Sequence, residues 1–167
     1  MNINMINLSE INMHYKMKLL RATREFLNGV SYEYPSFNKW FVEKVVPQHL
    51  LNYRDIILAL DSDNIAGVSI VKDIEEKKIC TFRVALNYRH NGVGKALMER
   101  SFITLNADKP IITIPDNKVS DFDAIIRYYQ FSLYGEYKDY YINGSYEFAY
   151  NGMLNEEIIT ETTFMTA

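Results

Sequence analysis

The sequence predicts a mixed α/β (α+β) domain, with a central, mostly antiparallel sheet of about six to seven strands, one parallel pair, and flanking helices. Three patterns predict it. Residues 79–114 read strand, helix, strand, the unit that sets two strands parallel through a right-handed crossover. Residues 56–71 hold two apolar runs around the turn-forming Asp61-Ser62-Asp63-Asn64. Residues 137–150 hold two more around Asn143-Gly144, both tolerant of positive φ, so a hairpin is expected on each side of the crossover unit.

The elements follow in order. Alternation over residues 2–8 gives a weak first strand. From Ser9 the pattern turns helical, with Met13, Met17, Leu20 and Leu27 on one side, Ser9 or Asn12 as cap and Gly29 as terminator. Pro35-Ser36 announces a second helix with Phe37, Trp40, Phe41 and Val45 inward, and Pro47 is expected to stop it. Two strands follow at 56–60 and 65–71, and the charged residues 72–78 read as a solvated tip before a third run, 79–86. Ala96, Leu97, Met98, Phe102 and Leu105 mark the buried face of the next helix, and Ile111–Ile114 a short buried strand. Asp121 or Asp123 opens a helix through Tyr128, Tyr129 and Leu133 to Gly135, and the last strands are 137–142 and 145–150.

At 167 residues, 48% hydrophobic and 23% charged, the chain is the size of one folded domain, expected over 1–152 with a loosely ordered tail at 153–167. A formal charge of −3 with scattered Lys and Arg argues against a nucleic-acid partner. A lone Cys80 in an apolar run is expected to be a buried structural thiol and fits a reducing compartment. Neither a leader pattern nor a stretch near 18 apolar residues is present, so the expectation is a cytoplasmic protein without a membrane partner. Tyr and Phe, 13 and 9 in number, crowd into 15–41 and 128–150, which suits a core or an aromatic-lined cleft.

The chemistry is expected in Arg89-His90-Asn91-Gly92-Val93-Gly94, between a strand and a helix. Glycines there let the backbone turn sharply and approach a ligand, while the unpaired first N–H groups of the helix face outward at its positive end. A pyrophosphate suits such a site. Arg-x-x-Gly-x-Gly arises by chance in roughly 4% of chains this long, so the strand–helix–strand setting carries the argument. No P-loop is present, and Pro115 stands where a dinucleotide fold needs an acid, which removes nucleotide hydrolysis and hydride transfer.

With Val84, Tyr88, Arg89, Gly92, Val93, Gly94 and Leu97 in place, this segment resembles the central motif of the GCN5-related N-acetyltransferases (GNAT), Val-x-Pro-x-Tyr-Arg-x-x-Gly-Ile-Gly-x-x-Leu. The resemblance covers roughly residues 54–150 and implies the element order β-α-α-β-β-β-α-β-α-β-β with a splayed parallel central pair. It implies that Val84 and Leu86 pair through their main chain with the pantetheine arm of coenzyme A. Main-chain amides of Arg89, His90, Asn91, Gly92, Val93, Gly94 and Lys95 would hold the pyrophosphate; Leu86 replaces the usual Pro. A second match, Ile126-Arg127-Tyr128-Tyr129-Gln130, puts Tyr129 on the tyrosine that commonly protonates the departing thiolate, with Tyr128 as fallback, because Leu133-Tyr134 stands where the family has Gly-Phe.

The implied activity is acyl-CoA-dependent N-acylation, with acetyl from acetyl-CoA passing directly to an amine of a small molecule or protein, and without a metal. The candidate bases are Glu33 and Glu43; His90 lies on the phosphate side. No base stands out, and this motivates the alternative, a non-catalytic coenzyme A-binding sensor or protein-interaction module. Proteins of this family occur as monomers and homodimers. Residues 32–41 are left either as an aromatic acceptor cleft for a cationic amine or as helix-packing core.

Overall fold

A computed structural model of the chain describes residues 2–155. Seven strands form one sheet: β1 (Ile3–Asn7), β2 (Arg54–Asp61), β3 (Asn64–Ile74), β4 (Glu76–Val84), β5 (Ile111–Pro115), β6 (Leu133–Lys138) and β7 (Tyr146–Tyr150). Their spatial order is β1-β2-β3-β4-β5-β7-β6, antiparallel throughout except for the β4–β5 pair. The crossover joining that pair contains α4 (Val93–Leu105), numbered after α1 (Met13–Phe26), α2 (Phe37–Trp40) and α3 (Val46–Leu50) and before α5 (Val119–Tyr128).

Helices cover both faces, so β2 reads as a continuous apolar run and not as an alternation. Ile56 and Leu58 join Leu20, Leu27, Phe37 and Phe41 beneath the N-terminal helices. Ile57 points the other way and packs with Leu97, Met98, Leu105, Ile112 and Ile114. A buried polar knot ties β1 to β2 and α4. Asn7 Nδ2 donates to Asp55 Oδ2 at 2.8 Å and to Thr104 Oγ1 at 2.9 Å, while Asp55 also accepts from Ser9 Oγ at 2.6 Å and from the amides of Ser9 and Ile56. The Asn7 side chain and the Ile56 amide would otherwise be desolvated, unpaired donors.

The structure departs from the expected elements where local chemistry intervenes. α1 starts at Met13, capped by Asn12, whose side chain accepts from the Tyr15 amide. Ser9 instead serves the Asp55 knot. Leu20 and Leu27 are buried as expected, with Leu19 and Thr23 beside them, whereas Met13 and Met17 face outward at 59% and 52% exposure. Pro47 does not end the second helical stretch. A π-helical turn, Phe41–Val45, precedes it, and Pro47 falls in the first turn of α3, where a missing N–H is tolerated.

The charged tip is shorter than expected: β3 and β4 pair to Ile74 and Glu76 around Glu75, at φ +63°. α5 stops at Tyr128 because Gln130 takes a left-handed φ of +52°, which frees Leu133 to begin β6. β6 therefore lies earlier than 137–142, and Asn143-Gly144 sits inside a longer loop between Lys138 and Tyr146 instead of forming a two-residue turn. Of the expected tail, Leu154 is buried at 5% exposure and its amide donates to Tyr137 Oη; residues 156–167 lie outside the described residues. No helix among the described residues is long and apolar enough to cross a membrane.

Candidate active site

The parallel pair is barely a pair. Its register contains only Lys78↔Ile111 and Ile79↔Ile112. The cause lies on the other side of β4, where Ile70 faces Thr81 and Val71 faces Ile79, leaving Cys80 as the extra residue of a β-bulge. A bulge bends and twists its strand, so β4 leaves β5 immediately after Ile79. The gap is a cleft of about 640 Å³ running through the sheet. Gly29, Val30, Glu33 and Tyr34 wall it on the N-terminal side, and Phe122, Ile125, Tyr128 and Tyr129 on the α5 side. Cys80 lines the cleft, partly exposed, and its Sγ accepts from Arg54 Nη1 at 2.9 Å, which corrects the expectation of a buried thiol.

The glycine loop closes one end of this cleft. Gly92 caps α4 at φ +81°, and a β-carbon there would meet nothing within 4 Å, so the backbone conformation alone calls for glycine. Gly94 differs. Its φ is not left-handed, and a β-carbon would meet only Val84 Cγ2 at 3.7 Å, an ordinary contact. Neither packing nor dihedral angle explains glycine at 94, which lines the cleft in the first turn of α4. The first intrahelical bond runs from the Ala96 amide to the Gly92 carbonyl, at 3.0 Å. The amides of Val93, Gly94 and Lys95 precede it, at the positive end of a 13-residue helix.

Of the sequence-predicted residues, Val84, Arg89, His90, Gly92, Gly94, Lys95 and Tyr129 line the cleft. Leu86 does not. β4 ends at Val84, and Leu86 is 79% exposed in a short 3₁₀ turn, because the Ala85 amide still pairs with Ala66 and turns the chain away. Val93 is buried against Ala59 and Ala66 and anchors the loop. Asn91 closes it, donating from Nδ2 to the Arg89 carbonyl at 3.1 Å. Arg89 turns inward: Nε donates to the Val84 carbonyl at 3.3 Å and Nη1 to Asp121 at 3.2 Å, so its charge is paired and the end of β4 is pinned.

Two bridges join α4 to the C-terminal end of α5. Lys95 Nζ donates to Tyr128 Oη at 2.9 Å, and Tyr129 Oη lies 3.5 Å from Glu99 Oε1. Tyr129 is held edge-on to Phe102, with ring centroids 4.9 Å apart. Burial, followed by the nearby Glu99 carboxylate, pushes its phenol up to about 12, which keeps it protonated. Tyr128 is 64% exposed.

On the far side, the aromatic stretch 32–41 divides. Phe37 and Phe41 enter the core, whereas Glu33 and Tyr34 line the cleft. Glu33 is ion-paired to Lys118 at 3.3 Å; Glu43 is exposed and outside the cleft. Glu147 was not anticipated. It lies on β7 opposite Pro115, 4% exposed, and accepts from Tyr34 Oη at 2.9 Å. Burial pushes its carboxyl up to about 7, against hydrogen bonds from Tyr34 and Thr113 and the charge of Lys78, which act the other way. A signal was present: the alternation of β7 places Glu147 with Ala149 on an inward face, where a carboxylate is out of place. Its partner, 113 residues away, left no trace in the sequence.

No family model matches the sequence, and neither does any curated protein. Solved structures do match. An assigned acetyltransferase of the GNAT family from Desulfovibrio desulfuricans superposes with a TM-score of 0.70 at 15% identity, over 89% of this chain and 97% of that one. A GNAT-family acetyltransferase from Staphylococcus aureus Mu50 gives 0.59 at 20% identity, over 89% and 99%. One from Elizabethkingia anophelis with acetyl-CoA bound gives 0.50 at 16%, over 64% and 80%. The chain has the GCN5-related N-acetyltransferase fold.

Proposed function

We propose that this chain, a GCN5-related N-acetyltransferase by fold, binds acetyl-CoA in the cleft between β4 and β5 and transfers acetyl directly to an amine. The observation that carries the reading is Gly94, a glycine the fold does not require, placed where the open end of the cleft meets the free amides of α4. A pyrophosphate there would accept from the amides of Val93, Gly94 and Lys95 with the helix dipole behind them. Arg89 serves by bracing Val84 and the loop; its charge is already answered by Asp121. The pantetheine arm would run along the unpaired edge of β4 from Val84 toward Thr81, which takes the place first expected of Leu86.

Chemically, a neutral amine adds to the thioester carbonyl, the C–S bond breaks, the thiolate takes a proton from Tyr129 Oη, and the proton shed by the acylated nitrogen restores the phenol. A phenol held near 12 remains protonated at working pH, so Tyr129 Oη is available as a hydrogen-bond and proton donor to the departing sulfur. Tyr128, engaged by Lys95 at the rim, is the secondary candidate. A cytoplasmic location, where coenzyme A is abundant, accompanies this reading.

The test has two parts. Calorimetric titration with coenzyme A should give a saturable 1:1 isotherm, and a thiol-release screen of acetyl-CoA against peptides, polyamines, aminoglycosides and aminoacyl-tRNA should give turnover with one class. Binding without thiol release across the panel would favour the non-catalytic alternative. Absence of binding would end both.

A further inference from the structure

Tyr34 and Glu147 connect two cavities. Tyr34 lines the large cleft, and Glu147 lines a second, small cavity of about 50 Å³ walled by Tyr140, Tyr141 and Tyr146; Glu33 and Pro115 border both. The hydrogen bond between Tyr34 Oη and Glu147 Oε1 at 2.9 Å crosses the partition. A cavity of that size holds a water molecule or two with polar partners. Tyr34 is fixed from its other side by the edge of Tyr141, 4.9 Å between ring centroids.

We infer that Tyr34 and Glu147 form the proton-exit path for the acceptor, which is a primary ammonium entering from the side of the sheet walled by Gly29, Val30, Glu33 and Tyr34. The inference rests on the acyltransferase reading above. An ammonium cannot attack a thioester until it loses a proton. In the step proposed, the ammonium N–H bond breaks as its proton moves to Tyr34 Oη, and the Tyr34 proton moves to Glu147 Oε1. The products are a free amine, an unchanged Tyr34 and a neutral Glu147 acid. Glu147 then releases the proton to water in the small cavity. Tyr34 is the group that touches substrate; Glu147 acts through it. The aromatic faces around the partition favour a cation there.

Several groups face this carboxyl: Lys78 from β4, Thr113 from β5, Asp116 beyond it, and Tyr34 from the N-terminal segment, itself beside Glu33 and Tyr141. Burial outweighs Lys78 and the two hydrogen bonds, so the carboxyl changes charge at about 7, where a base for this reaction works best.

The experiment is the pH profile of kcat/KM for the amine that releases thiol, measured for wild type, Glu147→Gln and Tyr34→Phe, with coenzyme A affinity measured in parallel. The expected result is an acid limb near pH 7 in wild type. Both variants should lose that limb and roughly 10²-fold in rate while binding coenzyme A normally. A ¹³C-carboxyl NMR titration, independent of turnover, should show one resonance changing near pH 7 that disappears in Glu147→Gln. An unchanged profile in Glu147→Gln, or a Glu147 resonance titrating in the ordinary carboxylate range, overturns the path and leaves the acyltransferase reading standing. Failure of every amine to release thiol defeats that reading, and the path with it.

Discussion

A β-carbon built on Gly94 would rest 3.7 Å from Cγ2 of Val84, in ordinary contact, so the fold leaves room for a side chain that the sequence withholds. Gly94→Ala should therefore raise the melting temperature slightly, by the roughly 0.4–1 kcal/mol gained when a helical glycine is replaced. Coenzyme A affinity should fall at least tenfold by calorimetry. Gly92→Ala should behave in the opposite way, losing about 1–2 kcal/mol because its φ of +81° is left-handed. Equal loss of stability in the two variants would contradict the distinction.

Tyr129→Phe keeps the ring against Phe102 and removes only the hydroxyl. Stability and coenzyme A affinity should change little, while kcat falls about 10²-fold in the thiol-release assay. Since burial holds the phenol near 12, kcat should show no basic limb from this group below pH 11. A larger effect from Tyr128→Phe than from Tyr129→Phe would transfer the role to the neighbour.

Glu147 also makes a stability prediction that needs no substrate. Its carboxyl rises from 4.5 to about 7 on folding, so the folded state holds the proton more tightly than the unfolded chain. The stability this confers is fully present below pH 4.5 and is lost as pH rises through 7. The loss is on the order of 3 kcal/mol. Glu147→Gln, neutral at every pH and still able to accept from Tyr34, should be more stable than wild type at pH 8 and nearly equal to it at pH 4.5. Denaturant melts at the two pH values check this.

Asp55→Ala should cost about 3 kcal/mol, since it strands the buried Asn7 side chain and Ile56 amide while leaving the cleft intact. Urea melts should reveal the loss, and coenzyme A affinity of the remaining folded protein should be unchanged.

The glycine loop and the helix it opens were legible because local chain chemistry writes them. Gly92 must be glycine for its own φ, and Val93 and Leu97 mark the helix that follows. Strand and helix order could be read from apolar periodicity for the same reason. In α1, Leu20 and Leu27 were read correctly but Met13 and Met17 were not, because both are apolar yet exposed and periodicity cannot tell a helix's inner face from a methionine-bearing outer one. α5 was overextended because Gln130 ends it, and glutamine does not advertise a left-handed φ. Tyr34 and Glu147 meet only once β7 has inserted between β5 and β6, a long-range event that no window of residues contains.

The two-residue ladder at Lys78 and Ile79 makes the sheet a four-stranded and a three-stranded half held by a narrow seam. Two such halves are natural units for separate opening, and amide exchange should distinguish them, with the seam strands less protected than β2 and β3. A ligand laid along the open edge of β4 would act as a further strand, restoring hydrogen bonds that the parallel pair relinquishes after Ile79. Occupancy would then stabilise the whole sheet in proportion to ligand concentration, and coenzyme A would set the cohesion of the protein as well as its chemistry.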